Sequence, residues 1–422
     1  MATADTSAKS ARREWTPHMW QGMEFFAWVR LLARNRFAIH FSCLYVAVIA
    51  SVVSLFHSLL RLAEEVVYGN RIRRTTLTNA PLFIIGHWRT GTTLLHELLI
   101  LDDRHSYPTT YQCLDPNHFL LTERFLTRCL WFLVPHHRPM DNMAAGWNRP
   151  QEDEFALTMM GAPSPYLTIA FPNHPPQHQD AFDLENLSPS AQALWKRRFL
   201  HFLRRLTLRN PKRLILKSPT HTFRIKALLD LFPNARFVHI VRDPYVVFPS
   251  TVNLWKSLYY THGLQVPTYA GVDEYVFQTF TELYSKLEET RSLIVPSRFH
   301  ELRYEDLVRD PIGEMRLLYE HLKLDGFETV LPKMEQYLDQ VAGYQTNRYE
   351  LPAELREEIT RRWGAVIKRY GYAPKSLPSK TAPEPKTPFP ISAVPAPISL
   401  PRVRSSPVDG RPTEMQPHSA VR

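Results

Sequence analysis

Cysteine is nearly missing from this 422-residue chain, which carries three: Cys43, Cys113 and Cys129. Three thiols cannot build a disulfide framework, so the stapled secreted scaffolds are excluded and a reducing compartment is the default. No block of lysine and arginine interleaved with aromatics occurs, which makes nucleic acid the least favoured anionic partner. Residues 1–20 are polar and lack the charged-then-apolar pattern of a cleaved signal peptide. Glycine is scarce, at 14, against 35 prolines, many of them near the C-terminus. The bulk balance is unexceptional, with 44% hydrophobic and 22% charged residues, as in an ordinary globular protein.

What is present begins with charge. The formal net charge is +10, and a basic excess suits a polyanionic ligand or an anionic membrane surface. Phe41 to Leu60 is an uncharged run, with Arg34 and Arg36 before it and Arg61 after it. Twenty residues suffice to span a bilayer, although Ser42, Ser51, Ser54, His57 and Ser58 dilute the apolarity and leave an interfacial or buried helix open. Arginines on both sides leave the orientation undecided. Residues 1–74 are thus expected to form a helical, membrane-associated region. Residues 75–373 read as one catalytic domain, placed on the cytoplasmic side, and 374–422 as a Pro-rich disordered tail.

From Pro81 to Tyr372 short apolar runs alternate with amphipathic stretches, the pattern of an α/β fold. Leu82–Ile85, Arg213–Leu216 and Arg236–Val241 are expected strands, each followed by a helical segment, as a buried parallel sheet requires. Phe299–Tyr304 alternates more and is expected near an edge. Asp243-Pro244 and Asp310-Pro311 each place a capping residue before a proline at the first helical position.

The strongest local signal is Gly86-His87-Trp88-Arg89-Thr90-Gly91-Thr92-Thr93, set between a strand and an apolar helix. Such a turn aims backbone N–H groups and the positive helix end at an anion. Arg89 adds a fork-shaped charge, and the two threonine hydroxyls add neutral donors. The spacing matches the ATP-binding G-x-x-x-x-G-K-[ST] loop, but Thr92 stands where its lysine belongs. Without that lysine, cleavage of a γ-phosphate is disfavoured. A nucleotide with one 5′-phosphate and no metal fits better. A second anion element is Arg242, leaving a strand at the sheet's carboxyl edge, with Ser250 two helical turns on.

Together these residues resemble the PAPS-dependent sulfotransferases, particularly the bacterial and tyrosylprotein group; PAPS is 3′-phosphoadenosine-5′-phosphosulfate. Trp88-Arg-Thr-Gly-Thr-Thr-Leu94 resembles the family's 5′-phosphosulfate loop, and Arg242…Ser250 its 3′-phosphate motif at the same interval. Arg303-Tyr-Glu-Asp-Leu307, Leu216-Lys-Ser-Pro219 and Phe232-Pro-Asn-Ala-Arg-Phe237 extend the likeness over most of residues 81–372. The resemblance implies a P-loop-like three-layer α/β fold with a central parallel sheet. It implies transfer of a sulfuryl group from PAPS, without a metal, to a hydroxyl or amine acceptor. Arg89, Thr90, Gly91, Thr92 and Thr93 would bind the 5′-phosphosulfate, Arg242 and Ser250 the 3′-phosphate, and Tyr304 the adenine. Arg348 would close over the nucleotide. Lys217, in the family's L-K-[ST] segment, would stabilise the bridging oxygen together with Arg89.

The catalytic base departs from the family pattern. Pro219 stands where cytosolic members carry a histidine, and Gln112 stands nearest to the glutamate of the tyrosylprotein type. Glutamine cannot take a proton. Gln151-Glu152-Asp153-Glu154 and His221 supply the local alternatives, with Glu152 or Glu154 favoured over His221. Two other functions remain open at this level: a nucleotide kinase or NTPase, and a catalytically silent, membrane-tethered nucleotide-binding protein.

Overall fold

The computed structural model describes residues 18–129, 146–341 and 349–372. The chain opens with α1 (Phe25–Arg34) and α2 (Leu44–Arg74), followed by β1 (Leu82–Ile85), α3 (Thr92–Leu99) and β2 (His105–Ser106). Next come α4 (Thr110–Leu114), α5 (Phe119–Cys129), α6 (Asp153–Met159), α7 (Pro189–Arg209), β3 (Arg213–Lys217), α8 (Ile225–Leu231) and β4 (Arg236–Val241). It continues with α9 (Pro244–His262), α10 (Val272–Thr290), β5 (Phe299–Arg303), α11 (Tyr304–Arg309), α12 (Pro311–His321), α13 (Phe327–Val341) and α14 (Ala353–Arg369). The expected position Arg348 and the Pro-rich tail lie outside the described residues.

The five strands form one sheet in the order β2-β3-β1-β4-β5, and every pairing is parallel. Helices cover both faces, so apolar residues alternate between two cores instead of between core and water. Phe83, Ile85, Leu214, Leu216, Phe237 and Val241 face the larger core, closed by α6, α7, α9, α10 and α14. Leu82, Ile84, Ile215, Val238 and Ile240 face the other, closed by α3, α12 and α13. The result is the expected three-layer fold. β5 lies at the edge with alternating burial. It ends at Arg303, one residue short of expectation, because Tyr304 opens α11. Asp243 and Asp310 cap their helices as expected, accepting from Tyr245 N and Gly313 N, each at 2.9 Å.

The uncharged run becomes a 3-10 turn (Phe41–Cys43) and the first half of α2. By length and composition Phe41–Arg74 is able to cross a membrane. One side of α2 is built into the protein. Ser51 Oγ accepts from Trp28 Nε1 at 2.9 Å, His57 Nδ1 lies 3.0 Å from Asp115, and buried Glu64 pairs with Arg205 at 3.1 Å. Its other side is exposed and apolar.

Candidate active site

β1 sits between β3 and β4, so the loops leaving these three strands meet at the sheet's carboxyl edge, where open α/β sheets bind ligands. They deliver Arg89, Lys217 and Arg242 to one place. The loop after β1 is held by special backbone geometry. Gly86 has φ +146°, and a Cβ there would lie 2.6 Å from the Ile240 carbonyl oxygen. Gly91 has φ +98°, and its Cβ would meet the Tyr304 ring at 2.2 Å. Arg89 itself takes φ +69°, a conformation that costs about 1–3 kcal/mol in a non-glycine residue and persists where neighbours enforce it. Its Nε donates to Ser250 Oγ at 2.9 Å, and its carbonyl accepts from Arg242 Nη1 at 3.2 Å. The two anion motifs, 161 residues apart in sequence at Arg89 and Ser250, are therefore one site.

Thr90 shapes the loop through its side chain. It is fully buried and donates its hydroxyl to the His87 carbonyl at 2.7 Å, closing the turn from within. His87 is also fully buried, with Nδ1 2.9 Å from the Trp88 carbonyl, and burial pushes its imidazole down to about 3. Thr92 and Thr93 open α3, whose first N–H groups face the mouth of the loop. The Tyr304 ring lies over Gly91, with the Arg242 guanidinium 4.2 Å from its centroid.

The three adjacent carboxylates have three different surroundings. Glu152, the N-cap of α6, accepts from Lys217 Nζ at 2.9 Å through Oε1 and from the Tyr166 hydroxyl at 2.5 Å through Oε2. Asp153 is fully buried, 2.8 Å from His221 Nε2 and bonded to the Ser218 hydroxyl. Burial alone would raise its carboxyl, but His221 outweighs that and holds it below the usual range. Glu154 is equally buried, forked onto Arg224 (2.5 and 3.2 Å) and accepting from Thr220 and Ser164. The side chains of Glu154 and His221 have no exposure, whereas that of Glu152 has 15%. Gln112 closes a capping box with Thr109 and donates to Glu123 at 2.8 Å, a structural part.

Tyr166 is the site residue that sequence reasoning missed. It accepts from Trp88 Nε1 at 3.0 Å while donating to Glu152, and burial beside that carboxylate pushes its phenol well above the usual range. Nothing in Ser164-Pro-Tyr-Leu-Thr168 marks it, since its importance comes from the fold alone.

The loop carries threonine in place of a P-loop lysine and lies beside the Lys217–Glu152 pair. The profile of the sulfotransferase family matches residues 81–329. The chain belongs to that family. Two curated relatives, the omega-hydroxy-beta-dihydromenaquinone-9 sulfotransferase Stf3 of Mycobacterium bovis and that of Mycobacterium tuberculosis, are each 53% identical over 371 residues, 88% of this chain and 95% of theirs. Among solved structures, sulfotransferase STF9 from Mycobacterium avium aligns with a TM-score of 0.56 at 23% identity, over 74% of this chain and 81% of its own. STF1 from Mycobacterium tuberculosis H37Rv gives 0.56 at 18%, over 81% and 92%. Both share the fold. The protein is a PAPS-dependent sulfotransferase, and the kinase and silent-binder alternatives give way.

Proposed function

We propose that this sulfotransferase modifies the hydroxyl of a lipophilic, membrane-borne acceptor of the isoprenoid-quinone class, with Glu152 as general base and without a metal. The acceptor class follows the relatives, whose name specifies an ω-hydroxylated dihydromenaquinone. The exposed apolar side of α2 supports membrane association of the catalytic domain, and three cysteines with no disulfide among the described residues suit a cytoplasmic face.

The donor, when bound, supplies the activated sulfuryl group. Arg89, Gly91, Thr92 and Thr93 hold its 5′ end with the N-terminus of α3, Arg242 and Ser250 hold the 3′-phosphate, and Tyr304 backs the adenine. Arg348 remains assigned to closure over the nucleotide. Metal independence rests on the residues present: Thr92 replaces the P-loop lysine, and the carboxylate after β4, Asp243, is used as the cap of α9.

The observation that carries the base assignment is the triangle of Lys217, Glu152 and Tyr166 at the carboxyl end of β3. Glu152 takes the acceptor hydroxyl proton, Lys217 balances charge on the departing oxygen, and Tyr166 orients the carboxylate. Glu154 and His221 are sealed in their own pairs. The test is transfer of labelled sulfate from PAPS to an ω-hydroxylated menaquinone in detergent micelles. Glu152→Gln is expected to lower kcat by about 10²–10⁴-fold with binding of the bisphosphate product unchanged. Full activity in that variant would overturn the assignment, and Mg²⁺-dependent activity of the unsubstituted enzyme would overturn the metal-free reading.

A further inference from the structure

The apolar side of α2 is continuous over most of its length. Leu44, Val48, Val52, Leu55, Leu59, Leu62 and Val66 are all exposed, between 49% and 87%. They recur every three or four residues, so they form one stripe along a straight helix. Tyr45, Ile49, Phe56 and Val67 widen that stripe, and the exposed arc, roughly 140° at 100° per residue, holds no charged side chain from Leu44 to Leu60, with Tyr45 adding a hydroxyl near its start. Phe26, Val29 and Phe37, from α1 and the turn after it, are exposed as well at 71%, 39% and 59%.

The opposite arc fixes how this surface meets its partner. Ser51 and Ser58 accept from Trp28 Nε1 and the Phe25 N–H, and His57 and Glu64 pair with Asp115 and Arg205, from the middle of the apolar stretch to just past its end. A helix crossing the bilayer there would carry a buried ion pair and its attached domain into hydrocarbon, where each unsatisfied polar group is strongly disfavoured. Residues 18–80 hold seven arginines and three glutamates, an excess of four positive charges, and no arginine falls between Phe37 and Leu60. Exposed Arg30 and Arg36 lie by one end of the apolar face, and Arg71, Arg73 and Arg74 by the other.

We infer that α1 and α2 form a monotopic docking face that lies in the plane of an anionic bilayer, with α2 inserted sideways and its arginines on the headgroups. The lack of charged groups along the face fits hydrocarbon rather than a protein surface, and the Tyr45 hydroxyl and the cationic ends fit the headgroup level. The inference deepens the reading of a membrane-borne acceptor and rests on it for its consequence. Glu24 N, at the start of α1, donates to the Met159 carbonyl at the far end of α6, and Glu152 caps the near end. Seven residues of helix set the catalytic carboxylate about 10 Å from that junction, a reach suited to a hydroxyl at one end of a bilayer lipid.

The experiment uses the full chain, labelled in turn with an environment-sensitive fluorophore at Val48→Cys, Leu55→Cys and Leu62→Cys. The vesicles are phosphatidylcholine with or without 30% phosphatidylglycerol (~ a physiological anionic fraction), carrying depth-graded quenchers. In-plane docking gives the same shallow depth at all three positions, binding about tenfold tighter with phosphatidylglycerol, and loss of binding in Val52→Glu/Leu59→Glu. A depth that changes steadily from 48 to 62 means a spanning helix and overturns the inference. So does dimerisation in buffer that buries the labels, or labels already shielded in the vesicle-free monomer by another part of the chain. Calorimetry of the same double variant with 3′-phosphoadenosine-5′-phosphate separates the two readings. Unchanged nucleotide binding shows an intact donor site whatever the vesicles report.

Discussion

Replacing Gly91 by alanine tests the join between the phosphate loop and the nucleotide's base. The new Cβ would stand 2.2 Å from Tyr304 Cδ2, 2.9 Å from Cε2 and 3.2 Å from Cγ, with ordinary contact starting at 3.4 Å. The ring must therefore withdraw by at least 1.2 Å, the difference between 3.4 and 2.2 Å. It cannot do so alone, because the Arg242 guanidinium lies on it and also bonds the Arg89 carbonyl. The backbone adds a second cost, since alanine at φ +98° is disfavoured by about 1–2 kcal/mol. Overpacking by one methyl adds about 1–3 kcal/mol.

If some 2–3 kcal/mol of this falls on the nucleotide-bound state, affinity for 3′-phosphoadenosine-5′-phosphate drops by about 30- to 150-fold. Calorimetric titration reads that directly. The mechanism is checked by a cycle with Tyr304→Ala, which removes the ring but keeps the backbone conformation. In that background Gly91→Ala should cost only the conformational part, about 5- to 30-fold. Equal losses in the two backgrounds, or wild-type binding in the single variant, would refute the steric coupling of Tyr304 to the loop.

Glu154→Gln should destabilise the fold by about 3–5 kcal/mol, because it leaves the Arg224 guanidinium buried without its charge partner. Urea unfolding measures this, and donor affinity at temperatures where the variant stays folded should match wild type; an unmoved midpoint would contradict a structural role. Burial holds His87 neutral, with its folded value near 3 against about 6.5 when unfolded. Its contribution is therefore complete above pH 6.5 and lost as pH falls toward 3, amounting to about 2 kcal/mol at pH 5. Comparing unfolding free energies at pH 7.5 and 5, the loss in His87→Asn should be smaller by that amount. Identical losses in the two proteins would refute it.

The central sheet was legible because β1, β3 and β4 are built on short, mainly apolar runs between breakers, and two-sided burial writes itself into contiguous residues such as Leu82-Phe-Ile-Ile85. The strand-to-helix loop after β1 was legible for a similar reason: its glycines, arginine and threonines are neighbours in the chain. β2 was not, since two residues carry no pattern. Thr90 is expected at the phosphosulfate with its neighbours, and what the sequence does not show is that its hydroxyl turns inward to satisfy the His87 carbonyl. α2 was ambiguous because its first half is apolar on both sides, one packed on the domain and the other exposed. Tyr166 had no signature at all, its partner Glu152 lying 14 residues away across a turn.

The unresolved base shows most clearly what a sequence withholds. Glu152, Asp153 and Glu154 are chemically near-equivalent, and their roles are assigned by three cations or bases on a distant segment: Lys217, His221 and Arg224, in the same order. Two of these pairs are buried and clamp the start of α6 onto the end of β3. The clamp leaves Glu152 in extended N-cap geometry, φ −74° and ψ 125°, outside the helix and against the lysine. On the proposed assignment of Glu152 as base, the neighbouring acids act as positioning residues, because they fix the orientation of its carboxylate. Lys217 and Glu152 neutralise each other in the resting enzyme, so neither charge stands alone in a nearly closed site. In the proposed mechanism the chemistry calls on both at once, the carboxylate for the acceptor's proton and the ammonium for the departing oxygen, with little reorganisation of the surrounding protein.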